Sequence, residues 1–79
     1  MKPSKENIFR LLAEIEQNGG FPHEGPISVF AAQYRDGLRG HPYQLVVRAD
    51  GDTIFVRASR LPFARPMVFS RQALRVFKL

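Results

Sequence analysis

A phenylalanine set between two arginines, Phe55 with Arg48 and Arg57, and a histidine beside an arginine, Arg39-Gly40-His41, are the residues of this chain best suited to chemistry. A guanidinium forks onto phosphate and stacks on flat rings, and an exposed aromatic can take an unpaired base on its face. Arg60, Arg71 and Arg75 extend the same basic set. An imidazole titrates near neutrality, so His41 can act as general acid or base in phosphodiester cleavage while neighbouring arginines hold the phosphate. The plainer reading makes His41 a loop residue that precedes Pro42. His23 lies in a proline-rich loop and reads as exposed. No Ser/His/Asp or Cys/His set can be assembled, and Gly19-Gly20 close a helix rather than open one over a phosphate. Glu14 and Glu16 are neighbours on a helix and point apart, which argues against a paired-carboxylate hydrolase. Two distant histidines and no cysteine leave no expected metal site, and no cofactor is expected.

The charge distribution supports the same arginines. The chain has 79 residues and a formal net charge of +5, and nine of its twelve basic residues are arginine. Residues 1–40 balance: Lys2, Lys5, Arg10, Arg35 and Arg39 stand against Glu6, Glu14, Glu16, Glu24 and Asp36. After Asp52 no acid follows, while Arg57, Arg60, Arg65, Arg71, Arg75 and Lys78 do. A one-sided basic surface is the electrostatic footprint of a polyanion binder, although arginine-rich composition alone produces the same count. The length suits a single small domain, 1–79. The lack of cysteine points to a reducing compartment, and no apolar run is long enough for a membrane span or a signal-peptide core, so a cytoplasmic location is expected.

The elements that must position these residues can be read in order. Ser4 can cap a helix over residues 5–18, with Ile8, Leu11, Leu12 and Ile15 on one apolar stripe and Asn18-Gly19-Gly20 ending it. Residues 21–26 form a loop with two prolines. Residues 27–35, ISVFAAQYR, fit either a strand or a helix; the β-branched and aromatic start favours the strand. Pro42 places the next strand at 43–49, after a loop over 36–41.

The strands 43–49 and 53–58 flank Asp50-Gly51, a strong hairpin signal. A two-residue type I′ turn there predicts the pairs Ala49–Asp52, Val47–Ile54, Leu45–Val56 and Tyr43–Ala58. One face is then apolar, and Gln44, Val46, Arg48, Thr53, Phe55 and Arg57 occupy the other. Residues 59–66 read as an irregular basic crossing pinned by Leu61 and Phe63. Ser70 caps a last helix over 71–78, with Phe69 and Leu74 placed as a hydrophobic staple. Ala73, Leu74, Val76 and Phe77 form its expected buried side, and Arg71, Arg75 and Lys78 its exposed one. The result is an α+β, αβββα two-layer sandwich: a three-stranded antiparallel meander with both helices on one face.

This order is that of the double-stranded RNA-binding domain. In MKPSKENIFRLLAEIEQNGGF, GHPYQLVVRADGDTIFV and VFSRQALRVFKL the chain also resembles the HicA-type messenger-RNA-cleaving toxins. That resemblance implies a toxin–antitoxin pair, an acidic antitoxin partner and a histidine-dependent RNase, with His41 as the one candidate for the catalytic histidine. The family's Gly-Ser-His-His run stands here as Arg39-Gly40-His41-Pro42. The reading the residues favour is a non-enzymatic module that binds nucleic acid, RNA before DNA, through Arg48, Phe55, Arg57, Arg60, Arg71 and Arg75. Its rivals are an inhibitor or accessory factor of a mobile element, such as an anti-CRISPR protein, that meets an acidic protein with the same face, and the HicA-like RNase. A helix at 27–35 would instead make the hairpin the wing of a reduced winged-helix DNA binder.

Overall fold

Apolar residues at helical spacing in one segment and at alternating positions in three others converge on a single core. The computed structural model describes residues 5–25, 29–34, 43–58 and 65–79. Helix α1 spans Lys5–Gln17, followed by β1 (Val29–Tyr34), β2 (Tyr43–Asp50), β3 (Thr53–Ala58), β4 (Met67–Ser70) and α2 (Arg71–Val76). The strands form one antiparallel sheet in the order β1-β2-β3-β4. Ile8, Leu12 and Ala13 of α1 and Leu74 of α2 pack on Leu45, Val47, Ala49, Ile54, Val56 and Phe69 of the sheet. Strand alternation puts all six sheet residues on one face, so both helices cover that face. The αβββα arrangement read from the sequence is present, and residues 29–34 are a strand.

Three details differ from expectation. The sheet carries a fourth strand, β4, between the irregular crossing expected over 59–66 and the last helix. Met67-Val68-Phe69-Ser70 alternates inward and outward, but four residues after a proline are too short to stand out as a strand. Residues 59–64, with Arg60, Leu61 and Phe63, lie outside the described residues, as do His41 and the outer limits expected for β1. Helix α2 is also shorter than 71–78: Phe77 is extended at φ −69°, ψ 131°. Its ring meets Phe9 edge-on at 5.0 Å between centroids and packs partly buried against the core. Val76, expected inside, is 68% exposed.

The third difference is the hairpin register. The pairs are Asp50–Thr53, Ala49–Ile54, Val47–Val56 and Leu45–Ala58. The two loop residues are therefore Gly51 and Asp52, not Asp50 and Gly51. The shift is of two residues, so each side chain keeps its expected face. Gly51 has φ +59° and no described non-glycine residue, Asp52 included, has positive φ, the pattern of a II′ rather than an I′ turn.

Asp52 explains the choice. Its backbone carbonyl accepts from Arg71 N at 2.8 Å. Its carboxylate accepts from Gln72 N at 3.0 Å and from Ser70 Oγ at 3.1 Å. Ser70 is the N-cap of α2, its hydroxyl accepting from Ala73 N. A loop residue thus satisfies amides that the first turn of a helix leaves without partners. At the other end Gln17 Nε2 donates to Leu74 O and Phe77 O at 2.9 and 2.7 Å. Asp52→Ala should lower stability by about 1 kcal/mol, while Asp52→Asn, which keeps an acceptor, should lose less than half of that. Urea denaturation of the three proteins checks the order; equal loss in both variants would show that charge, not acceptance, is what matters.

Candidate nucleic-acid interface

The sheet face turned away from the helices is built by the same alternation that builds the core. Arg48 pairs with Phe55 and Phe55 with Val68, so with Val29 at the β1 position the row crosses all four strands. Val46 and Arg57 pair in the next row. The Arg48 guanidinium lies over the Phe55 ring with its central carbon 4.0 Å from the ring centroid. Asp50, two residues along the same strand face, holds it from the side at 3.6 Å. The stack is worth about 1 kcal/mol and the exposed ion pair less. Arg57 makes no ion pair with a described residue and is half-buried. Val68 is 52% exposed. Arg48, Phe55 and Arg57 are thus brought together as a flat cationic and aromatic surface.

Arg71 and Arg75 do not join them. Arg71 Nε donates to Glu16 Oε2 at 3.0 Å, its Nη1 pairs with Glu24 and donates to Gly51 O at 3.1 Å, and its guanidinium sits over Phe21 at 5.4 Å. Arg75 Nε takes the other oxygen, Glu16 Oε1, at 3.0 Å. The side chains of Arg71 and Glu16 are 12% and 7% exposed. The exposed face expected for Arg71 is corrected: that residue is an internal anchor. Burial lowers its pKa, and the hydrogen bonds and charges of Glu16 and Glu24 more than offset this, leaving it raised above the ordinary arginine value. It is a permanent cation held between helices. Arg75 keeps half its surface but shares its charge with Glu16.

Arg60 and His41 lie outside the described residues, and His23 is exposed. The described residues hold no group of three or more His, Cys, Asp or Glu that could ligate a metal, and no described helix is long and apolar enough to cross a membrane. Reading the sequence missed Val68, Asp50 and Glu16. The alternation of Met67-Val68-Phe69-Ser70 could have shown the first; the reach of Glu16 across the fold has no local signature. Compared with known proteins, the chain matches no family model, no curated protein and no solved structure. The likeness to HicA-type toxins and to the double-stranded RNA-binding domain therefore rests on its quoted segments and on element order.

The two ends of the Glu16 bridge should differ. Glu16→Gln leaves the nearly buried Arg71 with Glu24 as its one remaining carboxylate and should cost about 2–3 kcal/mol, a fall of roughly 10 °C or more in Tm. Arg75→Ala removes a largely exposed partner and should cost less than about 1 kcal/mol. Calorimetry of both variants checks this, and equal small shifts would show that the bridge carries no weight.

Proposed function

We propose that the outer sheet face binds single-stranded nucleic acid, RNA in the first instance. The observation that supports this is the Arg48–Phe55 stack on a sheet face that neither helix covers, with Arg57 diagonal to it. A base laid on this surface meets either a ring or the outer plane of a guanidinium, and both take a base face without reading its identity. On this reading Arg57 meets the phosphate of the same nucleotide. The net charge of +5 attracts the strand from a distance. Of the six expected residues, Arg48, Phe55 and Arg57 carry this reading, Arg71 and Arg75 support the fold, and Arg60 lies outside the described residues. A cytoplasmic setting fits this reading.

The stacking and phosphate roles separate in a salt titration. Phe55→Ala should weaken binding of a fluorescent single-stranded RNA by about tenfold or more, the worth of one stacked base, with little change in the slope of log affinity against log salt. Arg57→Ala should reduce that slope by about 0.7, one phosphate on a single strand. Single-stranded DNA and duplex RNA of the same sequence rank the ligand classes. Affinity for single strands that neither variant alters, or no binding to any of the three, would remove the proposal.

A further inference from the structure

We infer that the free edge of β4 and the groove beside it form a second docking surface, one that takes an extended, acidic peptide segment of a partner protein as an added strand. β4 ends the sheet, and no described strand lies beyond it. Asp50 and Thr53 close a two-residue hairpin and so form a hydrogen-bonded pair; alternation along the antiparallel ladders then turns Phe69 and Met67 to β3 and the amide and carbonyl of Val68 outward. Such an edge is a template for another strand unless it is blocked.

Between this edge and the start of α1 runs an open groove of about 690 Å³. Its described lining includes Phe9, Phe69 and Phe77, with Lys5 and Arg10 along the helix side. Phe9 meets both of the other rings, lying 6.1 Å from Phe69 and 5.0 Å from Phe77. The Lys5 ammonium stands 5.7 Å above the Phe69 ring. A strand added to β4 alternates its side chains, one set towards this aromatic floor and the other towards the outer face beside Val68.

Charge chooses the occupant. Lys5 and Arg10 face Glu6 as the one acid among the described lining residues, and the whole chain carries +5. A second copy paired edge to edge about a twofold axis would bring like charges together along this interface, which opposes self-association. Carboxylates on the incoming strand meet Lys5 and Arg10, and an apolar side chain fills the aromatic floor. Free amides and carbonyls in register suit a peptide backbone and not a phosphodiester. The surface adjoins the outer-face stack at Val68 but does not depend on it.

The experiment is a titration of the isotope-labelled full chain, followed by heteronuclear NMR, with two synthetic octapeptides. One alternates glutamate with leucine and the other lysine with leucine. The acidic peptide should give saturable shifts at Val68, Phe69, Ser70 and Phe77 and leave Arg48 and Arg57 in place; the basic peptide should bind at least about tenfold more weakly. Val68→Pro removes the outward amide while keeping the hydrogen-bonded pairs Ile54–Phe69 and Val56–Met67, and should weaken the acidic peptide by about tenfold or more. If Val68→Pro unsettles β4, the double reversal of Lys5→Glu with Arg10→Glu decides instead: the preference should pass to the basic peptide. The inference is overturned by no saturable shift, by shifts confined to the outer face, by dimerisation through this edge on concentration, or by a peptide preference that the reversal leaves unchanged.

Discussion

One carboxylate joins the two helices, and most of the structure's charge arrangement depends on it. Glu16 gives one oxygen to Arg71 and the other to Arg75. Because its side chain and that of Arg71 are nearly buried, the pair is screened little by solvent, and losing either partner leaves the other charge without full compensation. Through Arg71 the bridge continues to Glu24 in the loop after α1 and to the carbonyl of Gly51 at the hairpin tip. The same loop is tied to β2, Gly25 N donating to Ala49 O at 2.8 Å. A single cationic side chain thus connects both helices, the loop and the turn.

That arrangement changes what the acid-free second half of the chain means. In sequence, six basic residues follow Asp52 with no acid among them. In space, Glu16 and Glu24 return from the first half to meet two of the six, and Asp52 holds the first turn of α2. A count along the chain cannot see a partner 55 residues away. Among the described residues the remaining cations are Lys5 and Arg10 at the start of α1, Arg48 and Arg57 on the outer sheet face, and the exposed Arg65 and Lys78; of these, Arg48 and Arg57 flank Phe55 on the sheet, which is why the candidate interface centres on those three.

What could be read from the sequence follows the range of the interactions concerned. The stripe of Ile8 and Leu12, the glycine end of α1 and the Ser70 cap rest on neighbours within a turn, and each appears where its local chemistry places it. Gly19 has φ +126° and Gly20 N donates to Ile15 O at 2.9 Å, a helix end of the Schellman kind. The two faces of the hairpin were legible because alternation survives an even shift. The register was not, because Asp50-Gly51 and Gly51-Asp52 are both acceptable loops. The choice between them is made by α2, which needs the Asp52 carboxylate and carbonyl at its first turn. β4 escaped for a related reason: four residues become a strand only once β3 is beside them.

The outer face is organised by forces weak enough to be redirected. Arg48 is held by one stacked ring and one partly exposed carboxylate at 3.6 Å, together worth about 1–2 kcal/mol. Arg71, by contrast, is fixed from five directions: two carboxylates, a carbonyl, an aromatic ring and its own backbone bond to Asp52. The difference sorts the arginines by use. A side chain that must meet a ligand has to give up its resting partners at small cost, and one that holds two helices together must not. On the proposed reading Arg48 need not even leave Phe55, because a base can stack on the guanidinium plane where it already lies. The ordering entropy of that side chain is then spent on folding, before any ligand arrives, so less is lost on binding.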